Sequence, residues 1–198
     1  MVVTTIPAYA DWTPNQTKAN QMANIARSMG LPEDNPIIKE CQRIWWEEQD
    51  KVKAAAQQAQ QNDLQNFLNA HYADSVALAG TMYAEARGLS RREMSMVCWC
   101  VLNRVDSGRF GNSISSVLWA KSQFAHSNKR YSDNGTDLVW LAQDVLTRWY
   151  KEKNGETNVG RTLPKGYYFY YGDGHHNYFR QNNSGKGSYN FGLWDPYS

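Results

Sequence analysis

Residues 79–105 read AGTMYAEARGLSRREMSMVCWCVLNRV, and the stop and start signals inside this stretch define two consecutive helices. The first runs from about Ser75 to Arg87 and stops at Gly88, a residue that accepts the left-handed conformation of a helix C-terminus. The second begins at once. Ser90 and Glu93 form an S-x-x-E capping box, in which each side chain satisfies a free backbone donor of the first turn. Met94, Val97, Cys98, Val101, Leu102 and Val105 then recur at helical spacing and mark one strongly buried face. Glu85 stands near the end of the first helix, surrounded by Met82, Tyr83, Ala84 and Ala86. Desolvation and the unpaired carbonyls of the helix end both favour its neutral form and push its pKa upward, whereas Arg87 pulls the other way if it folds back. A carboxylic acid held protonated near neutrality is what a general acid needs to break a glycosidic bond. The plain alternative is a solvated acid at a helix end.

Upstream, residues 1–16 are polar and interrupted by Pro7 and Pro14, and read as an extended leader. Residues 17–29 have helical spacing through Met22, Ile25, Ala26 and Met29, ended by Gly30 and Pro32. A long helix follows, with Asn35 as N-cap and Pro36 at its first position. Its apolar face runs through Ile37, Cys41, Ile44, Trp45 and Val52, and its middle, AAAQQAQQ, favours helix strongly. This face needs a partner, so residues 17–74 suit a stalk or bundle helix that docks on the core or on a protein partner.

Downstream, the VLNRV helix ends in DSGRFGNS, a short helix covers SISSVLW, and another runs from Thr136 to about Lys153 with Leu138, Leu141, Ala142, Val145 and Trp149 inward. Then the character changes. GYYFYYGDGHHNYFR, residues 166–180, reads as two short strands about a GDG turn. The expected fold is α+β, predominantly helical, with a small C-terminal β-hairpin. Residues 1–74 form a leader and helical segment, and residues 75–198 form the functional domain.

Composition narrows the function. The chain has 198 residues, 41% hydrophobic and 20% charged, enough for a self-sufficient core. No apolar run approaches the length needed to span a membrane. Residues 1–74 carry six Lys/Arg against nine Asp/Glu, and residues 75–198 carry fifteen against ten. The mildly basic second half suits an anionic polymer. Nucleic acid is not indicated, because no basic helix or recognition motif accompanies the charge. Cys41, Cys98 and Cys100 lack zinc spacing and read as core thiols.

Several elements, in order, resemble the signature of the SleB/CwlJ-type cell-wall hydrolases, the spore cortex-lytic enzyme family. They are AEARG (84–88), VLNRV (101–105), SGRF (107–110), SQF (122–124) and the later FYYGDGHHNYF (169–179). The resemblance covers roughly residues 75–182. Leu89 stands where the family often has an acid, Gly111 where a proline is usual, and His175 where asparagine is frequent. The resemblance implies a lysozyme-like (lytic transglycosylase-like) domain acting on peptidoglycan, with the motif glutamate at Glu85. It also gives Asn103, with Arg104 beside it, a part in shaping the site, against the plainer reading of a helix-end pair. Gln123 and Phe124, in a loop after a tryptophan, suit hydrogen bonding to and stacking on a sugar, against ordinary loop packing. His176 is a structural or substrate-contacting side chain. Tyr83, Tyr170, Tyr171 and Tyr178 add flat amphipathic surfaces that suit pyranose rings.

No second carboxylate has comparable surroundings in the sequence, so the two-carboxylate glycosidase scheme is incomplete. The resemblance implies a lytic transglycosylase, and a lone carboxyl agrees with it: Glu85 acts as acid and then base and the products carry 1,6-anhydro ends, with hydrolysis by water left open. A hydrolytic muramidase, a metal-dependent amidase and a non-catalytic wall-binding module are the alternatives. Asp173, His175 and His176 have no recognised zinc spacing, so neither metal nor cofactor is expected. The expected place of action is the cell wall or spore cortex. The opening residues, as written, carry no secretory signal, which leaves the route outward open and admits a phage lysis protein.

Overall fold

The computed structural model describes residues 14–198 of the chain. The chain divides into two compact units, Met1–Asp63 and Leu64–Ser198. In the first unit, α1 (Pro14–Ser28) begins inside the stretch expected to be an extended leader. A proline at the first helical position forfeits only an N–H that has no intrahelical acceptor, so the helix starts there at no cost. The rest of that leader, residues 1–13, lies outside the described residues. Helix α2 (Pro36–Ala70) starts where expected, and the Asn35 side chain accepts the Ile37 N–H at 2.9 Å as its cap. Ala19 and Ala23 of α1 pack with Cys41 and Ile44 of α2, small residues that let two helices approach closely.

The second unit holds α3 (Tyr72–Ala86), α4 (Arg91–Ser107), α5 (Ile114–Leu118), α6 (Leu138–Lys153) and the strands β1 (Phe169–Gly172) and β2 (Asn177–Arg180). The fold is therefore predominantly helical α+β with a small C-terminal antiparallel hairpin, as expected. Helix α3 packs on α4, α5 and α6, and α4 packs on α5 and α6. Every residue of α4 from Glu93 to Arg104 is buried, so this helix is the axis of the unit and not a one-faced element. Its apolar residues Met94, Val97, Trp99, Val101 and Leu102 share the core with Leu78, Met82, Leu141, Val145 and Phe179.

A helix buried all round must find partners for its polar groups. Ser95 does so through Thr162, at 2.7 Å between hydroxyls. The buried Cys98 and Cys100 are free thiols, and burial pushes both up, Cys100 to about 12 even with Arg104 nearby.

The capping box expected at Ser90 and Glu93 is only half formed. Ser90 accepts the Glu93 N–H at 3.2 Å, but the Glu93 carboxylate does not return to the Ser90 backbone. Its Oε2 takes the Ser90 hydroxyl at 3.1 Å, and its Oε1 reaches His176 in the hairpin turn. A tertiary partner takes the place of the Ser90 backbone N–H, while the serine side chain stays bound. The hairpin itself pairs Phe169 with Arg180, Tyr170 with Phe179, Tyr171 with Tyr178 and Gly172 with Asn177. Exchanged backbone bonds between Phe179 and Ser188, at 2.8 and 2.9 Å, tie the following tail to β2.

Candidate active site

Glu85 lies in the last turn of α3, half-buried, and its Oε1 accepts the backbone N–H of Ala125 at 2.5 Å. The loop after α5 reaches it by running back along α3, where the Ser127 N–H donates to the Gly80 carbonyl at 3.1 Å. Only a glycine permits that approach, since a Cβ at position 80 would sit 2.1 Å from the Ser127 carbonyl oxygen. The main chain of Glu85 is held as well. Its carbonyl, which has no helical partner at a helix end, accepts Nδ2 of the buried Asn177 at 2.9 Å. One loop thus fixes the side chain, and the hairpin fixes the backbone.

Tyr170 on β1 brings a hydroxyl into this cluster. The hydroxyl is buried and makes no hydrogen bond within normal geometry among the described residues. Burial foremost, then the nearby charge of Glu85, raises its pKa well above the ordinary tyrosine value, so it keeps its proton. It is a donor waiting beside an acceptor. Arg87, which the sequence left free to fold back onto the acid, instead lies exposed with its guanidinium 5.8 Å from the Tyr83 ring centre.

Arg104 organises the neighbouring wall. It is buried, with Nε donating to the Tyr168 carbonyl at 2.7 Å and Nη1 to Oε1 of Gln123 at 2.9 Å. Its guanidinium also lies over Phe124, 4.6 Å from the ring centre. Phe124 in turn sits 6.3 Å from Tyr170. The structure therefore brings Arg104, Gln123, Phe124 and Tyr170 together beside Glu85.

Other residues singled out from the sequence stand apart from that cluster. Asn103 is a buried brace: it donates to the Pro164 and Tyr167 carbonyls at 2.9 and 3.0 Å and accepts from Arg161, which fixes the approach to β1. Tyr83, two residues before Glu85, points round the helix, its hydroxyl 3.5 Å from Asp133. Tyr171 and Tyr178 stack 5.3 Å apart as a cross-strand pair, on the face of the hairpin opposite Tyr170.

His176 lies against Tyr189 at 3.9 Å and 5°, with Nδ1 3.0 Å from Glu93. Its neighbour in the turn, Asp173, accepts the His175 and His176 N–H groups at 2.8 Å each. Those two bonds hold the Asp173 carboxyl down to about 2.

Sequence reasoning missed Asn177, Gly80 and the Ala125 N–H, and assigned Glu93 a purely local role. An isolated glycine inside a helical pattern is a signal of close backbone approach, so Gly80 was findable. The other three depend on partners far along the chain.

The sequence matches the family model described as Cell Wall Hydrolase over residues 88–188, half of the chain. That span takes in Asn103, Arg104, Gln123, Phe124 and the whole hairpin, and begins just past Glu85. No curated protein and no solved structure matches. On that match, and with a helix-end glutamate braced by a loop and a hairpin, the chain belongs to the SleB-type cell wall hydrolases, enzymes that cleave peptidoglycan.

Proposed function

We propose that the chain cleaves glycan strands between N-acetylmuramic acid and N-acetylglucosamine as a lytic transglycosylase, with Glu85 as the general acid and then the base. The observation that carries this reading is that the carboxylates packed into this unit are engaged away from Glu85. Glu93 is tied to Ser90 and His176. Asp106 takes Trp149 and Lys153, and Asp137 caps α6. Asp144 holds Arg148 and Tyr197, Glu152 holds Arg161 and Lys165, and Asp173 holds its own turn. None of these carboxylates is free to act as the second group that an ordinary glycosidase needs, and Asp133, exposed beyond the Tyr83 hydroxyl at 3.5 Å, is the remaining carboxylate on the Glu85 side without an ion-pair partner among the described residues.

With one carboxyl the reaction closes on the substrate. Glu85 gives its proton to the bridging oxygen, the bond from that oxygen to the muramic C1 breaks, and the leaving sugar departs as an alcohol. The ring left behind has oxocarbenium character, steadied by its own acetamido oxygen. Its C6 hydroxyl then bonds to C1 and returns a proton to the Glu85 carboxylate, so the enzyme ends as it began. Ala125 holds Oε1 and leaves Oε2 to carry the proton, with the Tyr170 hydroxyl beside the anion that forms. For residues 1–74 we propose a docking or targeting role on a protein partner, in keeping with the exposed Met22, Ile25, Met29, Ile37 and Trp46.

Mass spectrometry of muropeptides released from purified sacculi tests the reading. The expected products carry 1,6-anhydro ends, and Glu85→Gln still binds sacculi but releases nothing. Reducing ends would replace transglycosylation by hydrolysis, free amino groups from peptide cleavage would indicate an amidase, and full activity of Glu85→Gln would remove the glutamate from the chemistry.

A further inference from the structure

A concavity lies along α3, on the loop that holds Glu85. Its volume is about 380 Å³, and it is lined by the small side chains of Ala73 and Ala77 together with Trp119, His126, Lys129 and Arg130. The loop runs antiparallel to the helix, with Ala125 against Glu85 and Ser127 against Gly80, which carries Lys129 and Arg130 on toward the first turns of α3. Ala77 and Glu85 are eight residues apart, so the concavity begins about 12 Å from the acid along the helix axis. That is within reach of groups carried by the same glycan strand.

The lining is built and not merely exposed. His126 is anchored at both ring nitrogens, Nε2 to the Leu118 carbonyl at 3.0 Å and Nδ1 to the Thr81 hydroxyl at 2.9 Å. It presents its face to Trp119, whose ring centre is 4.2 Å away and which is 62% exposed. The backbone beneath the two cations is fixed as well: the Lys129 N–H donates to the Ser127 hydroxyl at 3.1 Å and the Arg130 carbonyl accepts from Leu138 at 2.8 Å. Neither Lys129 nor Arg130 has a carboxylate partner among the described residues, whereas Asp74 on the adjacent helix is taken by His71. Two unpaired cations beside an exposed indole on a rigid loop are complementary to a ligand with carboxylates and short apolar side chains.

Resting on the glycan-strand reading above, we infer that this concavity binds the carboxylates of the stem peptide borne by muramic acid, making the enzyme selective for peptide-bearing strands. Lys129 and Arg130 meet the carboxylates, and Trp119 covers the apolar peptide side chains. The preferred substrate is then a wall whose muramic residues keep their peptides, not one in which they are absent.

The test compares release from intact sacculi with release from the same strands after amidase removal of the stems, for the wild type and for the double variant Lys129→Ala/Arg130→Ala. The wild type is expected to have the lower KM on peptide-bearing strands. The double variant is expected to shrink the difference in kcat/KM between the two substrates roughly fivefold, the effect of two part-exposed ion pairs. High salt should shrink it likewise.

Equal kcat/KM of the wild type on both substrates overturns the inference. So does a double variant that keeps full selectivity, or a loss of selectivity on stripping anionic phosphate polymers from the sacculi instead of peptides. A failure of Glu85 as the acid shows separately, as activity of Glu85→Gln on either substrate.

Discussion

Nδ1 of His176 lies 3.0 Å from Oε1 of Glu93, joining the first turn of α4 to the turn of the hairpin. A carboxylate can only accept, so the imidazole carries its proton on Nδ1. The next residue, Asn177, holds the carbonyl of Glu85. The pair thus fixes the turn that holds the helix end carrying Glu85. Glu93, only 7% exposed, bridges the two elements from the first turn of α4.

Glu93→Ala should lower stability by about 1 kcal/mol, because it removes the acceptor of the half-buried His176 imidazole, which water then partly replaces. Glu93→Gln keeps an acceptor oxygen and should recover part of that loss. Denaturant melts measure both, and imidazole ¹⁵N shifts report whether His176 keeps its Nδ1 proton. Equal stability of the alanine and wild-type proteins would show that the bridge contributes nothing.

Gly80→Ala sets two effects against each other. Alanine favours the helix by about 1 kcal/mol, but its Cβ would meet a backbone oxygen, Ser127 O, at 2.1 Å. A backbone atom cannot swing aside, so the loop must move and take the Ala125 N–H from Glu85. A lower melting temperature and a fall in kcat of roughly 10²-fold are expected, the cost of misplacing an acid by about 1 Å. Activity at the wild-type level would mean that the loop does not position the acid.

Tyr170→Phe separates folding from chemistry. The hydroxyl is buried without a hydrogen bond, so its removal should leave the melting temperature unchanged or raise it. If it donates to Glu85 once the acid has given up its proton, kcat falls about tenfold, as for one hydrogen bond to a charged group. An unchanged kcat would leave Tyr170 as wall and nothing more.

The hairpin turn should resist acid. The two backbone bonds depress the Asp173 carboxyl to about 2 from the ordinary 3.8. A depressed carboxyl contributes to the folded turn above its ordinary pKa and loses that contribution as pH falls through about 2. The amide shifts of His175 and His176 should therefore titrate near that value. A midpoint near 4 would show that the turn bonds are not formed in solution.

The local grammar of the chain was legible without a structure. Gly88 ends α3, Ser90 starts α4, Asn35 caps α2, and the aromatic run after residue 166 forms the hairpin, because caps, turns and periodicity act over a few residues. Helix α6 starts two residues later than the spacing at Thr136 suggests, since Asp137 supplies its cap and Thr136 is buried in the preceding turn. Glu85 also stood out early, as the one acid among small apolar neighbours.

What the tertiary structure alone decided is who holds that acid and its surroundings. Glu93 adds a histidine 83 residues away to the serine beside it, Asn177 reaches Glu85 across 92, and Arg104 spends its donors on Gln123 and Tyr168. A buried polar group takes whichever partner the packing brings near, and that choice is invisible in sequence spacing. The amino-acid sequence by itself determined the helices, the hairpin and the acid. The fold chose the partners, since desolvated donors and acceptors must be satisfied in space and not along the chain.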